Sequence, residues 1–328
     1  MAQKQLPACF DGALVIDKPG GRTSHDVVNA VRRMLGFRQV GHLGTLDPLA
    51  TGVLVLLLGR ATRLAQFYAG RRKRYLSTFR FGFATDTYDA DGTALGPDLA
   101  PQLDGAEIER LAANLTGRFA QMPPPFSAKK IQGRPAHELA RKHKPVELKP
   151  AEVEVYEFCL LEIDGPLARF TIECAAGTYI RSLAHEMGAQ LRCGAHLAAI
   201  ARTAVGEFTL DQAVGLDEFE RAARAGRAGE WILPLGRLLP ELPSAAVLPM
   251  VEQRVLHGAQ FQISLAQIRP GRVELPQGAT TQLDAGERKP AWLRVFNQQE
   301  QLIAIAQAIV PRTYQPVVVL GAESQAIV

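Results

Sequence analysis

Residues 41–58 constrain this chain more than any other segment. Gly41-His42-Leu43-Gly44-Thr45-Leu46-Asp47-Pro48-Leu49-Ala50-Thr51-Gly52 runs directly into the apolar stretch Val53 to Leu58, which Gly59 closes. An apolar run without alternation, fenced by glycines, reads as a buried strand. A glycine-punctuated loop pinned to such a strand can hold its side chains rigidly. Within it, Asp47 is a carboxylate that could meet a substrate without crowding from its neighbours. Asp-Pro after glycines is also ordinary turn chemistry, and the loop alone does not choose between the two.

Around this segment helix and strand patterns mix. Thr23 predicts a helix start with Asp26 three residues on, an apolar stripe of Val27, Val28, Val31, Met34 and Leu35, and a stop at Gly36. Tyr75, Phe79, Phe81 and Phe83 share one face of an alternating strand that Ser77 interrupts. A second helix runs from Asp104 through Ile108, Leu111 and Leu115 to Gly117. Val153, Val155, Phe170, Ile172 and Cys174 flank the Asp164-Gly165-Pro166 turn as a hairpin, and Ile180, Leu183, Ala184, Met187 and Leu191 form a helical stripe. Between Leu233 and Pro249 stand four prolines, where the domain boundary is expected. Short strand-like runs beyond it suggest a small β-rich module.

At 328 residues the chain is long for one hydrophobic core, and 47% hydrophobic with 21% charged residues is the composition of a globular protein. Its longest apolar run is far short of the roughly 20 residues a membrane helix needs. Residues 1–10 carry no secretion signal, so a cytoplasmic protein is expected. Cys9, Cys159, Cys174 and Cys193 show no CxxC spacing and read as free thiols. His185, Cys193 and His196 lack the further close pair of a zinc site, and no metal is expected. The echo of a calcium loop at Thr87, Asp89, Asp91 and Gly92 reads as an acidic turn.

Charge is distributed unevenly although the net is only +4. Pro48 to Thr85 holds Arg60, Arg63, Arg71, Arg72, Lys73, Arg74 and Arg80 with no acid. Arg118 to Lys149 holds eight more cations against Glu138 and Glu147, among prolines that suggest a protruding insertion. Such blocks suit a polyanion, since each neutralised phosphate releases counterions. Charge alone equally fits a solvated, arginine-rich surface. Arg181 lies near a helix start, off the apolar stripe, where it is a poor dipole partner but a possible buried counter-ion.

Taken together these residues resemble the bacterial tRNA pseudouridine-55 synthase family, TruB. The Gly41–Gly52 loop is similar to the family's catalytic motif. Around it stand Asp17-Lys18-Pro19-Gly20 with Thr23-Ser24, then Lys73-Arg74-Tyr75, Thr85-Asp86-Thr87 and Asp89 to Gly92. Ser127-Ala128-Lys129-Lys130 resembles its RNA-gripping insertion, Cys174 to Arg181 its arginine motif, and Cys193 to Ile200 with Arg202-Thr203 complete the set. The likeness spans roughly residues 10–240, and the C-terminal part resembles a PUA-type RNA-binding module.

The resemblance implies an α+β fold: a catalytic domain over 1–243 with a mixed, largely antiparallel sheet flanked by helices and a basic insertion at 121–149, then a PUA-like domain over 244–328. It implies isomerisation of uridine 55 in the T loop of tRNA, without cofactor, by a monomer. Asp47 would be the catalytic acid, Arg181 its partner, and Tyr179 would line the pocket and move a proton. Tyr75 would stack on the extruded base, with His42, Ile200, Lys18 and Lys130 as further substrate-binding residues. Whether Asp47 attacks C1′ or removes the 2′ hydrogen stays open. The rival readings are an RNA-binding or RNA-folding factor on the same scaffold, and a zinc base deaminase.

Overall fold

The structure is a computed structural model that describes residues 10–125, 149–271 and 292–321, with the backbone of 130–131 and 134–135. Its centre is an 11-stranded sheet. In chain order come β1 (Gly12–Lys18), β2 (Val40–His42), β3 (Thr51–Leu58), β4 (Lys73–Phe81) and β5 (Gly117–Gln121). The small ladder of β6 (Lys130–Ile131) and β7 (Arg134–Pro135) stands apart, and β8 (Ala151–Asp164), β9 (Leu167–Cys174), β10 (Ala195–Val205), β11 (Phe208–Thr209), β12 (Val214–Gly215) and β13 (Ile232–Pro234) return to the sheet. Across it the order is β12-β1-β3-β10-β4-β9-β8-β5, with β2 beside β3, β11 beside β10 and β13 beside β1. The β1/β12 and β3/β10 pairs are parallel and the others antiparallel, which makes this the mixed sheet of an α+β fold.

The continuous apolar run of β3 is explained by what covers its two faces. Leu54, Leu56 and Leu58 point into a core with Val27 and Val31 of helix α1 (Ser24–Leu35). Val53, Val55 and Leu57 point the other way, onto Leu235, Leu238 and Leu239 and onto Leu302, Ile305, Val318 and Leu320 of a second sheet. Both faces are dry, so alternation would leave polar groups buried. Each of these side chains removed from water contributes roughly 1.5–3 kcal/mol.

Helix ends follow local chemistry where it is strong. Thr23 and Asp26 form a reciprocal capping box, and Gly36 at φ 61° ends α1 in a left-handed cap. Short α2 (Ala65–Tyr68) follows β3, and Asp104 caps α3 (Gly105–Asn114) by accepting from Ala106 N. Gly117, expected to stop that helix, instead opens β5 at φ 95°. In β4 the buried face is Tyr75, Ser77, Phe79 and Phe81, so Ser77 does not break the face. Gly82 at φ 119° ends the strand before Phe83. The hairpin of β8 and β9 turns at Gly165, and α4 (Ile180–Gln190) and α5 (Leu216–Arg224) pack on the sheet.

The second sheet, β14 (Ser244–Ala246), β15 (Phe261–Gln262), β16 (Trp292–Phe296), β17 (Leu302–Val310) and β18 (Thr313–Val319), has the order β14-β16-β17-β18-β15 and carries α6 (Pro249–Leu256). The proline-rich approach to it is packed, because Leu235, Leu238 and Leu239 are fully buried. Phe67 meets Trp292 edge-on at 5.1 Å, and Arg60 donates to Leu320 O at 2.8 Å while pairing with Asp11. No helix among the described residues is long and apolar enough to cross a membrane.

Candidate active site

Three buried side chains hold the Asp47 loop from three elements. Ser24, in the first turn of α1, donates to Leu46 O at 3.0 Å and accepts from Leu46 N at 2.8 Å. Lys18, the last residue of β1, donates to Pro19 O, Arg22 O and Pro48 O at 2.9, 2.6 and 3.3 Å. Arg202 of β10 donates to Val53 O at 2.8 Å, Gly44 O at 3.1 Å and Thr45 O at 3.4 Å. Gly52, at φ 94°, lets β3 pass this close: an added Cβ would stand 2.3 Å from Arg202 O.

These bonds correct one expectation. Lys18, expected at the substrate, is fully buried, and its three N–H groups are taken up by backbone carbonyls. Burial pulls its pKa down to about 8 against the pull of Asp47. It is a support for the loop.

Above the loop stands a carboxylate–guanidinium–carboxylate row. Arg181 lies in the first turn of α4, where the helix dipole disfavours a cation. Two acids offset that: its Nε is 3.0 Å from Asp47 Oδ2 and its Nη1 is 3.2 Å from Asp89 Oδ2. Nη1 also donates to Thr87 O at 3.0 Å. The start of α4 is fixed by the Gln121 amide, which accepts from Tyr179 N at 2.8 Å and donates to Tyr179 O at 3.0 Å. Asp89 is held in its turn by Thr87 Oγ1 at 2.5 Å and by Asp91 N at 3.2 Å.

Asp47 sits in a concave site yet keeps 47% of its side chain open, whereas Arg181 is 8% exposed. Loss of water raises the Asp47 carboxyl above its ordinary range; Arg181 opposes this, Asp89 adds to it and Lys18 opposes it more weakly. The result is a reachable carboxylate more basic than usual and braced by a buried cation. Such a group can accept a proton or attack an electrophilic carbon.

The open face of Asp47 looks into a cavity of about 240 Å³, whose lining includes Thr45, Lys73, Tyr75, Tyr179, Arg181 and Ile200. This is below the roughly 300–1,000 Å³ usual for small-molecule clefts. Tyr75 is buried, and burial pushes its phenol up to about 12, so it is neutral. A larger groove of about 430 Å³ between α1 and α5 contains none of these residues.

The structure thus brings together Asp47, Tyr75, Tyr179, Arg181 and Ile200. His42 stands at the end of β2 behind the loop, outside the cavity lining. Its Nδ1 is buried without a partner among the described residues, and burial followed by Arg202 lowers its pKa, which keeps it neutral. The side chain of Lys130, like most of the 121–149 insertion, lies outside the described residues.

The sequence alone assigns no site role to Asp89, which reads as part of an acidic turn, or to the supports Gln121 and Arg202. The acid-free stretch 48–85 is also less positive in three dimensions than in sequence. Arg60 pairs with Asp11, Arg71 with Glu241, Arg72 and Arg74 with Glu173, and Arg80 with Asp98. Arg63 donates to Val319 O. Among the described residues no three His, Cys, Asp or Glu side chains are grouped to hold a metal.

Residues 32–180 match the family model described as TruB family pseudouridylate synthase (N terminal domain), and residues 181–241 match tRNA pseudouridylate synthase B C-terminal domain. The tRNA pseudouridine synthase B of Solibacter usitatus is 44% identical over 311 residues, covering 95% of this chain and 100% of that protein. That of Aquifex aeolicus is 40% identical over 256 residues, covering 77% and 88%. Among solved structures, the archaeal box H/ACA sRNP Nop10-Cbf5 complex matches with a TM-score of 0.64 at 25% identity, covering 92% of this chain and 80% of that one. An H/ACA RNP bound to a substrate RNA containing 2'-deoxyuridine shares the fold with a TM-score of 0.65 at 24% identity, covering 91% and 78%.

Proposed function

The chain belongs to the TruB family of pseudouridylate synthases, and from that membership and the cavity beside Asp47 we propose that it isomerises uridine 55 in the T loop of tRNA to pseudouridine. The reaction breaks the N1 to C1′ bond, turns the base and joins C5 to C1′. It involves no redox change and no net hydrolysis, and so calls for no cofactor.

A stacked base hides its glycosidic bond, so the nucleotide is extruded, at a cost of a few kcal/mol that stacking and phosphate contacts offset. Tyr75 offers an aromatic face in the cavity, and Ile200 and Tyr179 form its walls. Asp47 acts ionised, either by attack on C1′ or by taking the 2′ hydrogen. Arg181 keeps it charged when RNA displaces the remaining water. Tyr179 moves the proton that leaves C5. In this reading the protein acts as a cytoplasmic monomer, and residues 244–328 form an RNA-binding module beside the catalytic unit of 1–243.

The observation that carries the reading is the Asp47 carboxylate, open to the cavity while its neighbour Arg181 is buried. Asp47→Asn tests it on an unmodified T-arm hairpin, with pseudouridine read by mass-sensitive chemical labelling. The expected outcome is no conversion with hairpin affinity within a few fold of the parent protein. Retained conversion refutes the catalytic role. A parent protein that binds the hairpin and never converts it favours a non-catalytic RNA-binding factor.

A further inference from the structure

Lys73 begins β4 two residues before Tyr75, and the period of two along a strand puts both side chains on one face. Both line the cavity that Asp47 opens into. An added Cβ on Gly44 would lie 3.3 Å from Lys73 Nζ and 3.7 Å from Arg202 Nη1, so two cations flank the same stretch of loop. Arg202 is committed to the carbonyls of Gly44, Thr45 and Val53. Lys73 has neither a hydrogen bond nor an ion pair with any described residue, unlike the six arginines of its stretch. The nearby Cys174 thiol is pushed up to about 11 by burial and is uncharged at neutral pH.

A half-buried ammonium without a counter-ion is unfavourable in the resting protein; burial and then Arg202 both draw its pKa down. Its place in the cavity is also distinct from that of the Asp47 pair. The charges that act on Asp47 are Arg181, Asp89, Lys18 and Asp91, whereas the charge that acts on Lys73 is Arg202. Asp47 and Arg181 form one charged centre, and Lys73 a second on the side of Tyr75.

We propose that Lys73 is the electrostatic partner of the departing base, its ammonium facing the negative charge that gathers on the uracil oxygens as the glycosidic bond breaks. The inference rests on the isomerase reading. When N1 to C1′ breaks, the bonding pair stays on N1 and delocalises onto O2 and O4. The sugar's deficit is met by Asp47, through an ester bond or through transfer of the 2′ proton to its carboxylate. When C5 bonds to C1′, the Asp47 ester bond breaks or Asp47 returns its proton to C2′, C5 gives up its proton and N1 takes one up, so Asp47 is regenerated and atoms and electrons balance without a co-reactant. A cation already in place, in a site from which water is displaced, stabilises that anion without reorganising.

The test compares Lys73→Met, which keeps the apolar stem, and Lys73→Arg with the parent protein. Each is run in single turnover on a T-arm hairpin carrying uridine or 5-fluorouridine at the target, read as loss of the N1-linked nucleoside. Fluorine stabilises the uracil anion by itself, so a lost cation matters less on that substrate. For Lys73→Met the expected result is a loss on the order of 10²-fold with uridine and about fivefold or more smaller with 5-fluorouridine, at little-changed hairpin affinity. Lys73→Arg recovers much of the rate.

Equal losses on both substrates overturn the inference, as does an unchanged rate. So does weaker binding with a salt slope reduced by about one, which marks a phosphate contact instead. Because the comparison is between two substrates of one variant, Lys73→Gln substitutes for Lys73→Met if the latter fails to fold. A parent protein inactive on uridine brings down the isomerase reading itself.

Discussion

Arg202→Met removes a residue that the proposed mechanism never brings into contact with RNA, yet the structure makes it one of the most consequential substitutions. Arg202 is fully buried and donates to three carbonyls, two of them in the Asp47 loop. Methionine keeps the stem and deletes the guanidinium. Three bonds to a charged donor at about 1.5–2 kcal/mol each sum to ~5 kcal/mol. Relief from burying a cation, whose pKa burial already lowers, returns about 2 kcal/mol. The net loss is about 3 kcal/mol, within a typical stability of 5–15 kcal/mol, so the variant folds. Freed at Gly44 and Thr45, the loop no longer fixes Asp47, and a 1 Å displacement costs about 10²-fold in rate. Urea unfolding with single-turnover conversion on the T-arm hairpin measures both. A variant with the parent's midpoint and rate would refute the claim that the guanidinium sets the loop.

The pH profile gives a second prediction. The ionised form of Asp47 is the active one and its pKa is raised, so activity is lost as pH falls through that raised value, and the acidic limb of kcat/KM lies above the ordinary 3.8. Asp89→Asn removes a charge that raises Asp47, so the limb moves to lower pH while kcat falls as Arg181 loses an anchor; a limb that moves up contradicts the geometry. Arg60→Ala frees the end of β18, with an expected loss of about 1–3 kcal/mol and early hydrogen exchange across 302–319. Exchange unchanged there would show that the second sheet does not depend on this anchor.

What was legible in the sequence is what local chemistry decides. Thr23, Asp26 and Gly36 delimit α1 because a capping box and a left-handed stop act within one turn. The run of β3 announces two covered faces, though not that Leu302, Ile305 and Val318 of the second sheet supply part of one. Asp47 and Arg181 could be singled out by motif. Asp89 stands in a motif as well but reads there as part of an acidic turn, since its carboxylate gains its role only when the fold brings it 92 residues along the chain to Arg181. Lys18 was misread because its partners are backbone carbonyls, which no side-chain pattern reveals. The same blindness made residues 48–85 look uniformly positive, although Asp11, Glu173 and Glu241 come from far along the chain to meet them.

The central claim concerns one carboxylate and one sugar, and a structure of the protein with a bound T-arm hairpin measures their separation. The account predicts the target base swung out against Tyr75, with an Asp47 oxygen about 3–3.5 Å from C1′ or C2′ of its ribose and Arg181 still in place. A base still stacked in its loop, with Asp47 turned to water, would contradict it.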